Sequence, residues 1–198
     1  MPRIDPVTPP FEAEVAERLE AMMPPGVPPI LLFRTFVHNL PMAEAMGTWG
    51  RYELGRRLSL SMRDREILID RTCARCGCEY EWGVHIAYFA ERVGLTTAQV
   101  ASLTHGSPTG TCWPTGRDRV LIEVADSLHD TAQIDDELWE RLSAELTEAE
   151  ILDVLMLCGW YHAISYVANG VHLDLEEAAP RFADVVGVGD GPVARADT

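Results

Sequence analysis

Apolar residues along the chain recur at spacings of three and four, and no stretch sustains the apolar/polar alternation of a half-buried strand. That period is the signature of amphipathic helices. It predicts helices at about 11–23, 30–38, 41–58, 79–93, 116–129 and 135–145, with three more opening after Ser61, Thr96 and Thr147. Two of those starts, Thr96 with Gln99 and Thr147 with Glu150, have the spacing of reciprocal capping boxes, and Ser61 is followed by Asp64 in the first turn. The expected fold class is all-α, a single-domain helical bundle.

Punctuation along the chain sets the expected boundaries. Residues 1–29 hold prolines at 1–10 and in the run PPGVPP and read as a proline-rich arm with one helix. Residues 30–180 form the helical domain, and 181–198, whose end is rich in Gly and Asp, a C-terminal tail. One long loop, HGSPTGTCWPTG at 105–116, interrupts the helices. A short echo links LSMRDREIL (60–68) to LTEAEIL (146–152); each leads through an apolar helix to a Cys and then an aromatic-flanked His.

Length and composition exclude several classes. At 198 residues, 47% hydrophobic and 24% charged, the chain can bury a core without disulfide or metal staples. Its net charge is −15 and all 16 basic residues are Arg. Such a charge repels phosphate backbones and anionic lipid, so neither nucleic acid nor membrane is an expected partner. The lack of Lys excludes Schiff-base chemistry. The N-terminus lacks a signal-like apolar core and no run reaches about 18 continuous apolar residues, so a cytoplasmic location is expected. In that compartment five cysteines point to thiols, ligands or catalytic groups rather than disulfides.

The densest chemistry lies in RTCARCGCEYEWGVHIAYF, residues 71–89. Cys73, Cys76 and Cys78 with His85 could in principle hold zinc, but structural zinc sites draw their ligands as spaced pairs from turns, and no metal is expected on this spacing. Cys73 and Cys76 form a C-x-x-C at the wrong end of a helix for lowering a thiol pKa. The third reading starts from Gly77, which ends one helix and lets another begin near Cys78. Cys78, Glu81 and His85 then fall at i, i+3 and i+7 on one face, flanked by Trp82 and Phe89. The competing reading makes His85 a satisfied core histidine and Glu81 a solvated charge.

This stretch resembles the carboxymuconolactone decarboxylase and alkylhydroperoxidase D superfamily. That pattern is a Glu, twelve residues later a Cys, then C-x-x-C-x-x-x-H; here Glu66, Cys78, Glu81 and His85 occupy the four steps, with Glu81 where the thiol branch has its peroxide-attacking Cys. Further similarity runs through WPTGRDRVLIEVADSLHD and LTEAEILDVLMLCGWYHAISYVANGV, so that about residues 40–178 are covered. The resemblance implies a helical hairpin bearing the motif, and homo-oligomers (dimer, trimer or hexamer) with pockets between helices near subunit contacts. In the decarboxylase branch it also implies a small-molecule substrate and no metal or organic cofactor. It does not fix the reaction.

On these grounds His85 is expected to donate a proton, Glu66 to orient it, Glu81 to act as second acid or base, and Cys78 to complete the catalytic set. Trp82, His162, Tyr166 and Asn169 are the expected substrate-binding residues. His162, Ser165, Tyr166 and Asn169 share a helical face that either lines the pocket or forms a polar seam between subunits, while Trp160 and Tyr161 read as core or interface aromatics. Three functions follow: cofactor-free acid/base chemistry on a small organic acid or lactone, such as decarboxylation; a thiol peroxidase using Cys78; or a non-catalytic oligomeric binding protein.

Overall fold

Side-chain caps fix where the helices begin. Ser61 accepts from the backbone N–H of Asp64 and Asp64 accepts from that of Ser61; Thr96 with Gln99 and Thr147 with Glu150 do the same. In the computed structural model, which describes residues 1–187, nine α-helices result: α1 Ala13–Met22, α2 Leu31–Phe36, α3 Leu40–Glu53, α4 Met62–Arg75, α5 Glu79–Phe89, α6 Thr97–His105, α7 Gly116–Thr131, α8 Asp136–Glu145 and α9 Glu148–Gly170. A 3-10 turn at Phe182–Val185 follows, and there is no strand among the described residues. The fold is all-α, as the period required.

The largest departure at a helix end is in α3, expected to reach residue 58 and ending at Glu53, while α5, expected to reach residue 93, ends at Phe89. At Gly55 a Cβ would sit 2.2 Å from the Arg51 carbonyl oxygen, a backbone approach that only glycine permits as the chain turns away. Of the expected tail, residues 181–187 are described and the 3-10 turn packs on α6, while 188–198 lie outside the described residues. In the expected arm, α1 seats on α2 and α3 with Leu19 buried.

Helix α4 is the axis of the bundle, in contact with α5, α6, α7 and α9. Ten consecutive residues from Asp64 to Cys73 are buried, five of them charged. Burying charge is costly unless it is paired. Arg71 therefore forks onto Asp126 of α7 at 2.6 and 2.8 Å and also donates to the carbonyls of Leu103 and Gly106 at the end of α6. Arg117 bridges Asp64 and Glu150 at 3.0 and 2.7 Å, tying together the capped starts of α4 and α9, the two segments that echo each other in sequence. Helix α9 has the length and mean hydropathy, 1.4, of a membrane span, but half of that stretch is packed inside the bundle.

Candidate active site

The α4–α5 hairpin turns on Gly77, whose φ of +60° is a conformation that side-chain-bearing residues rarely adopt. Its N–H donates to the Ala74 carbonyl, and the Cys78 N–H reaches back to Cys73 at 2.8 Å, a paired closure of the helix end. Cys78 then serves as the N-cap of α5. This reversal lays α5 against α4 and brings residue 85 beside residue 66.

His85 is buried and bonded at both ring nitrogens. Nδ1 lies 2.7 Å from Glu66 Oε2, and Nε2 lies 3.0 Å from the Tyr161 hydroxyl and 3.5 Å from Glu81 Oε1. A carboxylate oxygen only accepts, so Nδ1 carries the proton toward Glu66. The other oxygen of Glu66 accepts from Arg65 Nε at 2.6 Å, and the Arg65 guanidinium lies 5.0 Å from the centre of the Phe89 ring. Burial works against a charged imidazole, but the charges of Glu66 and Glu81 and their hydrogen bonds outweigh it and raise the His85 pKa to about 10. The two carboxylates thus favour the imidazolium form of His85 at neutral pH.

Two neighbours differ from this paired core. Asp70, one turn along α4 from Glu66, is buried with both carboxylate oxygens unpartnered; burial, and then the Glu66 charge, hold its pKa well above the carboxylate range. Tyr161 is buried, and burial together with the charges of Glu81 and Glu66 keeps its phenol protonated well above the ordinary range.

A cavity of about 460 Å³ opens onto this cluster. Glu81, Val84, His85, Tyr88 and Phe89 of α5 form one wall, and Trp160, Tyr161 and Ile164 of α9 another. Leu32, Phe33 and Phe36 of α2, Met46, Gly47 and Gly50 of α3, and the end of α1 at Met22 complete it. The lining is chiefly apolar, with Arg51, Glu81, His85, Tyr88 and Tyr161 its charged or hydroxyl-bearing side chains. Glu81 Oε2 is buried without a protein partner. A few polar groups converging in an apolar hollow of this size is the usual form of a small-molecule site.

Of the residues singled out from sequence, Glu66, Glu81 and His85 come together here. Cys78 is adjacent in the chain but fully buried in the core, and burial pushes its thiol up to about 11 against the opposing pull of the Glu81 backbone N–H. Trp82 points into the core, its ring tilted 59° to that of Phe182 with centroids 4.9 Å apart. His162, Tyr166 and Asn169 lie away from the cavity: His162 faces His129, Tyr166 is exposed, and Asn169 donates to the Cys76 carbonyl at 3.0 Å. Trp160 and Tyr161, read from sequence as core or interface aromatics, line the cavity, and the α1–α3 segment that roofs it is not assigned to the site by the sequence. Tyr161 adjoins His162 in GWYHAISY, and the helical offset of about 100° per residue directs one toward His85 and the other away.

No protein-family model matches the sequence, and no curated protein matches it either. Solved structures do match in shape. An uncharacterized peroxidase-related protein from Silicibacter sp. TM1040 is 15% identical with a TM-score of 0.76, covering 90% of this chain and 96% of its own. The alkylhydroperoxidase AhpD core of an uncharacterized peroxidase-related protein from Ralstonia eutropha JMP134 is 14% identical with a TM-score of 0.74, covering 88% of this chain and 93% of its own. The debrominase Bmp8 is 16% identical with a TM-score of 0.68, covering 92% and 95%. At these identities the likeness concerns architecture, and over nearly its whole length the chain has the fold of the alkylhydroperoxidase D-like, peroxidase-related proteins.

Proposed function

We propose that this protein is a cofactor-free acid/base enzyme acting on a small organic acid or lactone held in the cavity above His85, with decarboxylation or a related proton transfer as its reaction. The observation that carries this reading is the chain Arg65–Glu66–His85–Tyr161 ending at an apolar cavity, with the unpartnered Glu81 Oε2 beside it. A protonated His85 can donate from Nε2 to the Tyr161 oxygen, leaving the Tyr161 O–H free to donate to a substrate oxygen. When charge develops on that oxygen, as in an enolate or dienolate, Tyr161 stabilises it and His85 replaces the proton. Glu81 can remove a proton from carbon, or return one to it. Glu66 orients the ring and balances the imidazolium, while Arg65 holds Glu66 in place.

A thiol peroxidase needs an exposed, ionisable sulfur. Cys78 is enclosed and its thiol is disfavoured as thiolate, and residue 81 is a Glu, so the acid/base reading ranks above the thiol one. An apolar, aromatic-lined cavity also suits a flat unsaturated ligand. A variant of the debrominase Bmp8 has been solved in complex with 2,3,4-tribromopyrrole, an aromatic molecule.

The test is hydrogen–deuterium exchange at carbon in D₂O, followed by NMR, across a panel of small unsaturated acids, β-keto acids and carboxylated lactones. Enzyme-dependent exchange or CO₂ release that is lost in His85→Gln supports the proposal. Peroxide turnover dependent on Cys78, with no exchange in any member of the panel, overturns it in favour of thiol chemistry.

A further inference from the structure

On the far side of α9 from the cavity, three helices converge through side chains for which acid/base chemistry has no use. Cys76 caps the end of α4, His129 lies in the last turn of α7, and His162 lies in the middle of α9. His129 Nδ1 is 3.8 Å from Cys76 Sγ and 3.1 Å from His162 Nε2, and all three atoms lie within 4.8 Å of one another. Each residue is half-buried, within reach of solvent but held by the packing around it. None of the three lines the cavity.

We propose that Cys76, His129 and His162 form a binding site for a divalent transition cation of the Zn²⁺ class. Zinc bonds of about 2.0–2.1 Å to nitrogen and about 2.3 Å to sulfur place tetrahedral ligand atoms about 3.3 Å apart for two nitrogens and about 3.6 Å apart for nitrogen and sulfur. Two edges of the triangle, 3.1 and 3.8 Å, lie within a few tenths of an ångström of those values before any ion draws the ligands in, and the third is no longer than 4.8 Å. The tautomer is also set. His162 Nδ1 donates to the Cys158 carbonyl at 2.9 Å, which leaves Nε2 as the lone-pair nitrogen facing the other two ligands. Thiolate plus two imidazoles is a borderline-soft set that suits Zn²⁺ and disfavours Mg²⁺ or Ca²⁺. With three protein ligands, the fourth position belongs to water.

The adjacent cation does not forbid an ion here. Arg75 is engaged by Asp126 at 3.5 Å and by Asp130, so its charge is already balanced. The sequence could not assign this set, because its spacing offered Cys73, Cys76 and Cys78 as a cluster. In the fold, Cys73 is enclosed in the core and only Cys76 meets histidines, both from distant helices.

The chelator-stripped, full-length protein is titrated with Co²⁺ and then Zn²⁺. One equivalent of Co²⁺ should give a thiolate-to-metal charge-transfer band and the strong visible bands of four-coordinate cobalt, both displaced by Zn²⁺. Cys76→Ser should remove the charge-transfer band. His129→Ala and His162→Ala should each weaken Zn²⁺ binding at least tenfold, with His129→Gln and His162→Gln read in the same way if an alanine variant misfolds. Cys112→Ser, a half-buried thiol elsewhere, should leave the titration unchanged. Absence of a stoichiometric band overturns the proposal. So does a band that survives both histidine substitutions and disappears in Cys73→Ser, which would return the metal to the sulfur cluster.

Discussion

Tyr161 meets His85 edge-on, with the two rings 87° apart, their centroids separated by 5.1 Å, and the hydroxyl 3.0 Å from Nε2. The ring perpendicular to the imidazole fixes its orientation, and the hydroxyl extends it by one oxygen toward the cavity. Together with the Glu66 bond to Nδ1, this contact leaves His85 no other way to face.

If proton transfer runs through this pair, Tyr161→Phe and His85→Gln should each reduce carbon-bound proton exchange by about 10² to 10⁴, the usual worth of a positioned acid or base. The pH profile supplies a second readout. Because the His85 pKa is raised to about 10, its proton is fully present through pH 8 and is lost as pH rises through about 10. Activity should therefore hold through mildly alkaline pH and fall on that limb. A fall centred near pH 6.5 would mean that the His85 pKa is not raised, and activity that rises with pH through the His85 pKa would mean that His85 acts from the neutral form.

Cys78→Ser should be mild for the same activity, since the hydroxyl keeps polarity and nearly the volume of a side chain that does not reach the cavity. Stoichiometric peroxide should leave Cys78 reduced, read by trapping sulfenic acid and mass spectrometry, because a buried thiol pushed up to about 11 presents little thiolate. Rapid, selective oxidation at Cys78 would place it in the chemistry.

Glu53 gives a stability prediction. It is buried in α3 with both carboxylate oxygens unpartnered, and burial, followed by the nearby Asp153 charge, raises its pKa from 4.5 to about 7. The native state then keeps the proton up to about pH 7 while the unfolded chain releases it near 4.5, so stability is lost as pH rises across that window. Glu53→Gln removes the penalty, which is at most about 3 kcal/mol for a shift of this size. The melting temperature of the variant should exceed that of the parent at pH 8 by several degrees and differ little at pH 5. Melting curves that stay parallel across the range would contradict it.

Helix α9 also carries an outward strip, Leu152, Met156, Gly159, Ala163 and Tyr166, at alternating spacings of four and three. Leu152, Met156 and Tyr166 are 63%, 52% and 70% exposed. Large apolar side chains around two small residues suit close packing against a second copy of the same helix. Light scattering at micromolar concentration should give at least a dimer, and Met156→Glu should shift it toward monomer with its helical circular dichroism intact. A monomeric parent would rule this out.

Helices and caps were legible in the sequence because they depend on neighbours three and four residues apart. The capping boxes at Thr96 and Thr147 and the break at Gly77 needed nothing beyond local hydrogen bonding and backbone sterics. Glu81 and His85 were legible as one helical face, and Glu66 joined them through the family resemblance. What the sequence could not determine is which face of each helix another helix would cover. MRDREILIDRTCAR has the composition of a solvated helix, yet it is the buried axis of the bundle, because Arg71, Asp64 and Glu66 find partners on other elements. Tyr161 reaches His85 while its neighbour His162 reaches Cys76 and His129 only because α9 lies between two other layers, with consecutive residues pointing into different ones. Local periodicity determined the elements; the packing of distant side chains, a free energy shared among many residues, decided which of them meet.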